Sequence, residues 1–287
     1  MHTLSAKTSE HPLWLWPNLL SLDAPLIAVL WLHLFALSGR IRLAPSVLAV
    51  LALVVWTIYV ADRLIDGLKA APSAALSARH RFYRRHRAVL VPLLLGVLGL
   101  TCWMCLRLDP RTLAFGILLL LVVSAYFAAV HWIRSTWRVS FPKEVAVALV
   151  FGVGTLCPAW IHAHGATAAM AIALAFFIAI CWLNVVLIEY AEWVVLRQHR
   201  RDAPHVTTVT GGRHLLAIGA AIGIAALLLA WASSSHAEHS MLIAVSCSAL
   251  ALAGLGISWR KFSINAVRVL ADATLLTPGL VLLFIHR

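Results

Sequence analysis

Residues 166–188 read Ala166-Thr-Ala-Ala-Met-Ala-Ile-Ala-Leu-Ala-Phe-Phe-Ile-Ala-Ile-Cys-Trp-Leu-Asn184-Val-Val-Leu-Ile188, and none of them carries a formal charge. An apolar run of about 20 residues, coiled as an α-helix, matches the hydrocarbon thickness of a bilayer. Its apolar side chains lie all round the helix rather than along one stripe. That pattern suits a helix surrounded by lipid and other helices, with every backbone polar group satisfied internally. Glu189, Glu192 and a basic stretch follow directly, so the run stops at a polar boundary.

The same pattern recurs on both sides. The spans predicted are Leu22 to Ser38, Leu43 to Ala61, Ala88 to Leu106, Thr112 to Trp132, Glu144 to His162, Ala166 to Ile188, His214 to Ala232, Ser240 to Ser258 and Ile264 to Ile285. The expected fold is an all-α, multi-pass transmembrane helical bundle of nine helices. It forms one domain over residues 1–287, of which residues 1–20 are an N-terminal cytoplasmic segment. With 62% hydrophobic and 12% charged residues, the chain departs from soluble domains, which carry about 25% charged residues. No basic cluster leads into a short apolar core near Lys7, so a cleaved signal peptide is not expected. All five cysteines fall inside apolar runs, where a thiol behaves as a small hydrophobe. Disulfides are not expected.

A net charge of +12 raises nucleic acid as a partner, but the cations occupy short gaps between apolar runs, and topology explains them better. If the N-terminus is cytoplasmic, the inner gaps hold sixteen Lys and Arg and the outer gaps five. The positive-inside rule then predicts a cell-membrane protein with a cytoplasmic N-terminus and, for nine helices, an external C-terminus. The stretch Arg79-His-Arg-Phe-Tyr-Arg-Arg-His-Arg87 is expected to touch anionic lipid headgroups or to cap a polar site.

Only eleven acids exist in the chain, and four of them mark two helix ends. In Trp56-Thr-Ile-Tyr-Val-Ala-Asp62-Arg63-Leu-Ile-Asp66, residues Tyr59, Asp62 and Asp66 share one helical face. In Asn184-Val-Val-Leu-Ile-Glu189-Tyr-Ala-Glu192, the two glutamates lie one turn apart. Carboxylates gathered in this way repel unless a cation compensates them. Mg²⁺ takes one or two protein carboxylates plus phosphate oxygens and water, so the pattern suits a metal-bound diphosphate. The alternative is that Asp62 and Asp66 mark the water boundary and pair with Arg63 or loop arginines.

These segments and the count of nine helices resemble the UbiA superfamily of intramembrane prenyltransferases. Asp62-Arg63-x-x-Asp66 is similar to the end of that family's first Asp-rich motif, with Ile58 and Tyr59 where the family has Asn-Asp. Asn184 and Ile188-Glu189 resemble the second motif, with Leu187 in place of an Asp and Glu192 offset by one residue from the next. The resemblance implies a fold, an activity and a site. The activity is Mg²⁺-dependent transfer of a prenyl group from an isoprenyl diphosphate to a lipophilic acceptor within the membrane. Asp62, Asp66, Glu189 and Glu192 are then the catalytic and metal-binding residues, and Tyr59, Arg63, Arg134, Lys143 and Asn184 bind substrate, with Arg138 nearby. Two other readings stay open: an ion-coupled transporter using the same acids, and a non-catalytic scaffold of the same fold.

Arg268 precedes Asp272 by one turn, and an internal pair is expected between them. His162-x-His164 and His236-x-x-His239 provide too few ligands for a metal site. Trp56, Trp182 and Trp193 read as interface aromatics.

Overall fold

The structure is a computed structural model that describes residues 12–69, 78–132, 142–163, 168–196, 204–233 and 236–285. The described residues form helices and connecting turns, with no strand among them. In chain order the α-helices are α1 (Trp16–Leu19), α2 (Asp23–Ser38), α3 (Pro45–Lys69), α4 (Ala78–Arg85), α5 (Arg87–Cys105), α6 (Pro110–Trp132) and α7 (Lys143–His162). They continue with α8 (Ala168–Leu196), α9 (Val206–Arg213), α10 (Leu215–Ala232), α11 (His236–Ser258), α12 (Ile264–Thr274) and α13 (Thr277–Ile285).

Each of the nine predicted spans is helical, but not all are equivalent. Seven described stretches are long and apolar enough to cross a membrane alone. The first span is instead a bent pair, in which Leu13–Leu19 meets Asp23–Ser38 at 76°. Alone, the 16 residues of α2 rise about 24 Å, less than a bilayer core of about 30 Å. The apolar part of α6 among the described residues, Pro110–Ala125, is also short. Residues 13–19, assigned from sequence to an N-terminal segment, are helical, and Leu15 and Leu19 are buried against Val60, Leu64, Phe82 and Leu90.

The outer surface behaves as a lipid-facing one. Of α5, only Leu90 and Thr101 are buried, while Val89 and Leu95 are 68% and 61% exposed. In water so continuous an apolar surface is an association site; in lipid it is ordinary. The core lies around α8, which packs against α7, α9, α10, α11 and α12, and around α2, which packs against α3, α7 and α11. Trp31 and Phe35 of α2 sit on Phe177 of α8, at ring-centroid distances of 4.6 Å and 5.6 Å.

Two breaks matter for the site. Between α1 and α2 the backbone turns at Ser21, whose φ of 56° is left-handed, a conformation rarely adopted by residues other than glycine. Between α12 and α13 the helix stops at Leu275, just ahead of Pro278, whose ring nitrogen cannot donate to the preceding turn. The carbonyl of Leu275 accepts the indole N–H of Trp31 at 2.9 Å, so the break leaves one of its orphan groups satisfied by the core.

Candidate functional site

Polar side chains collect at the end of the bundle where α3 and α8 finish and α7 and α12 begin, and they form two layers. The outer layer contains Asp62 and Asp66 of α3, Arg79 of α4, Lys143 of α7, Glu189 and Glu192 of α8, and Arg268 of α12. Helix α4 is amphipathic: Ala78, Phe82 and Tyr83 are buried, and Arg81, Arg84 and Arg85 are exposed. Its Arg79 turns inward, into the electrostatic field of Arg268, Arg63, Glu192 and Asp62. Burial, reinforced by the neighbouring Arg268 and Arg63, pushes the Arg79 guanidinium down to about 10. Of the basic stretch, Arg79 thus turns toward this layer, while Arg81, Arg84 and Arg85 stay exposed.

The four sequence-predicted acids have different partners. Arg268, 4% exposed, donates from Nε to Glu192 Oε1 at 2.6 Å and again from Nη2. Lys143 Nζ lies 3.4 Å from Glu189. Asp62 and Asp66 make no ion pair within 4 Å among the described residues. The Nε of Arg79 and the Nη1 of Arg268 are buried without a hydrogen-bond partner, and a buried donor without an acceptor is costly. Among the described residues the outer layer thus holds two carboxylates without an ion pair and two guanidinium N–H groups lacking acceptors.

The inner layer lies one to two helical turns deeper. It contains Asn18 and Asp23 at the α1–α2 bend, Tyr59 of α3, Asn184 of α8 and Asp272 of α12. Asn18 Nδ2 donates to Asp23 Oδ2 at 2.5 Å and to Asp272 Oδ2 at 3.2 Å, so the two carboxyl groups share one amide nitrogen. Asn184 Nδ2 donates to Asp272 Oδ1 at 3.4 Å. Arg63 joins the layers: its Nη1 donates to the Asn18 carbonyl and, at 2.6 Å, to Ser21 Oγ, which also meets Tyr83 Oη at 2.7 Å. These bonds hold the left-handed Ser21 in place, an example of backbone strain kept by its surroundings next to a polar site. Asp23, Tyr59, Asn184 and Asp272 line a cavity of about 40 Å³ with Phe151, Cys181 and Leu275 among its walls. A polar cavity of that size admits a few water-sized groups.

Several expectations change. Arg268 does not pair with Asp272; it reaches across to Glu192 on α8, and Asp272 is held by Asn18 and Asn184. Tyr59 and Asn184, which the resemblance assigns to substrate binding, line the inner cavity rather than the outer layer. Arg63 donates from Nη1 to the Asn18 carbonyl and Ser21 Oγ at the α1–α2 bend. Asn18 and Asp23 were not singled out by sequence, although a carboxylate at the start of an apolar run is the signal that exposes such a residue. Arg134 and Arg138 lie outside the described residues. Among the histidines, His162 pairs with Asp109 at 3.2 Å and His239 Nδ1 meets the Ala230 carbonyl at 2.9 Å; His164 and the side chain of His236 lie outside the described residues.

No three His, Cys, Asp or Glu side chains among the described residues gather as metal ligands. With Glu189 and Glu192 facing cations, the donor set is not a four-carboxylate cage. Asp62 and Asp66, one turn apart and without an ion pair among the described residues, fit a metal ion that takes its remaining ligands from a phosphate group and water.

An apolar groove of about 220 Å³ runs between α7 and α8, lined by Val145, Ala148, Leu149, Ile178 and Trp182 among others. Ala148 is common to this groove and the inner cavity. The indole N–H of Trp182 is buried there without a partner.

Fold and site together define a membrane-embedded, all-α, multi-pass protein with a layered polar centre at one end of its bundle. Compared with protein-family models, with curated proteins and with solved structures, the chain matches none.

Proposed function

We propose that the protein transfers a prenyl group from an isoprenyl diphosphate to a lipophilic acceptor inside the membrane, as the resemblance to the UbiA superfamily implies. The observation that carries this reading is the outer layer. Among the described residues, two guanidinium groups each with a buried N–H lacking an acceptor share a layer with two carboxylates that make no ion pair, a set that a metal-bound diphosphate would complete on both sides.

In this reading Arg79 and Arg268 donate to diphosphate oxygens, and Asp62 and Asp66 hold Mg²⁺. Bound there, the ion neutralises the charge that builds on the departing diphosphate. Preorganised donors aimed at developing charge act strongly where water is excluded. Glu192 keeps Arg268 oriented, and Glu189 does the same for Lys143 at the rim. The prenyl tail lies in the α7–α8 groove, away from water. By the positive-inside rule the diphosphate end faces the cytoplasm, with an external C-terminus, in the cell membrane.

Purified protein in lipid, given Mg²⁺, a panel of allylic diphosphates and a membrane lipid extract, is expected to release diphosphate. The Asp62→Ala and Asp66→Ala variants are expected to lose this release while remaining inserted. Unchanged release in both removes the proposal. A second reading, an ion-coupled carrier, draws on the helix breaks beside Asp23 and Asp272, since broken helices commonly frame carrier sites. Proton-driven uptake into liposomes without diphosphate release would favour it.

A further inference from the structure

We propose that α1 and α4 together form a docking surface for the anionic headgroups of bilayer phospholipids, and that binding there holds α4, with its inward Arg79, against the outer layer. The surface lies outside the polar centre, and its lipid binding does not depend on the prenyl-transfer reading.

The charged half is α4. From Gly67 to Leu108 the chain contains no acid, while Arg81, Arg84, Arg85 and Arg87 are all exposed. At about 100° per residue, Arg81, Arg84 and Arg85 fall within about 100° of arc, facing away from the buried Phe82 and Tyr83. Arg87 opens α5, a span long and apolar enough to cross the membrane. The arginine row therefore stands where hydrocarbon gives way to headgroups. A guanidinium fork at that level matches the oxygens of a lipid phosphate.

The apolar half is α1 and the turn before it. The segment Leu13–Leu19 meets α2 at 76°, so with α2 crossing the bilayer it lies near the membrane plane. Leu15 and Leu19 are buried in the bundle, while Leu13, Trp14, Trp16 and Leu20 are exposed. Trp16 meets Phe82 of α4 edge-on, with ring centroids 6.0 Å apart, which sets the exposed rings beside the arginine row. Tryptophans presented in this way suit the boundary between headgroups and acyl chains. A soluble phosphate would use the arginines alone; a phospholipid of net negative charge uses both halves, with its phosphate on α4 and its glycerol and upper chains on α1. On the other face of α4, Arg79 lies in the field of Arg268 and Glu192, so whatever fixes α4 fixes Arg79 in the outer layer.

Electron paramagnetic resonance of the full chain in bilayers, with spin-labelled phosphatidylglycerol and phosphatidylcholine as probes, tests the surface. The wild type is expected to prefer the anionic label by about fivefold, the factor for one arginine near an anionic surface, and added salt should lower that ratio. The triple variant Arg84→Gln, Arg85→Gln, Arg87→Gln is expected to bring the ratio close to one. Each single substitution should remove part of the preference, which keeps the test decisive if the triple variant fails to fold. Equal binding of the two labels by the wild type, or a preference that survives all these substitutions, overturns the docking surface. Inorganic phosphate that abolishes the preference where chloride of equal ionic strength does not would mark a soluble-phosphate site and overturn the lipid assignment. Amide exchange across residues 78–85 is expected to be slower in phosphatidylglycerol than in phosphatidylcholine bilayers; equal exchange in both overturns the hold on α4. If the wild type releases no diphosphate, the transferase reading fails while both measurements still decide the surface.

Discussion

The two polar layers sit within about two helical turns of each other, yet they solve the cost of membrane burial by different means. In the outer layer two of the four acids are matched by opposite charge, Glu192 by Arg268 and Glu189 by Lys143, with Arg79 drawn in on its own amphipathic helix and Asp62 and Asp66 without an ion pair among the described residues. In the inner layer two carboxyl groups accept from one Asn18 amide and Asn184 donates to Asp272, with Arg63 one step away. A layer built from ion pairs is stabilised by completeness and loses heavily when one partner is removed. A layer built from hydrogen bonds to a shared acid is tuned by the number of donors, and each donor counts for less.

That contrast can be broken by experiment. The largest loss is expected from Arg268→Met, which removes the two guanidinium donors that Glu192 accepts and costs about 3–5 kcal/mol. Pairing it with Glu192→Gln should recover most of that, as read from thermal unfolding in detergent. An additive double variant would mean that the pair is not the unit. Next, Asp62→Ala should lower diphosphate release by about 10²–10³-fold, the usual scale for losing one preorganised electrostatic element, with little change in unfolding temperature. In the inner layer Asn184→Leu removes one donor from Asp272 and should cost about 1–3 kcal/mol. A loss as large as that of Arg268→Met would erase the distinction between the layers.

The smallest effect belongs to the opposite end of the bundle and serves as a control. Asp109 accepts the Thr112 and Arg111 backbone N–H groups at 3.0 Å and 3.1 Å at the start of α6 and stands 3.2 Å from His162. The Thr112 hydrogen bonds hold its carboxyl below the usual range, with His162 adding to the effect. A depressed carboxyl contributes stability above its unfolded value and loses it as pH falls through the folded one. Asp109→Ala should therefore cost about 1 kcal/mol or less at neutral pH and nothing in strong acid, measured as the difference in unfolding temperature between the two conditions.

Much of the helical architecture was legible because hydropathy is a local property: a run such as 166–188 has no other low-energy state in lipid. The spacing Asp62-x-x-x-Asp66 was legible for the same reason, since a helix fixes which residues share a face. Partner choice was not. Arg268 and Asp272 are one turn apart and look paired, but Glu192 on the neighbouring helix offers Arg268 a closer carboxylate and Asn18 and Asn184 offer Asp272 its donors. Glycines show the same limit. A Cβ at Gly219 would come within 2.9 Å of Ala253 Cβ, whereas one at Gly99 meets nothing within 4 Å, although both sit in similar small-residue runs.

By itself the sequence determined that this chain lives in a bilayer, where its apolar spans lie, though α3 and α8 run on to Lys69 and Leu196, past the predicted Ala61 and Ile188, and that four of its acids mark two helix ends. These follow from transfer free energy and helical geometry, which act over one turn or one span. Only the tertiary structure decided that the polar centre has two layers, that Asn18 and Asp23 belong to it, and that Tyr59 and Asn184 face the inner layer. Those facts depend on where a bend at Ser21 and a break at Leu275 bring distant segments together, and such contacts are set by packing between helices that lie far apart in the chain.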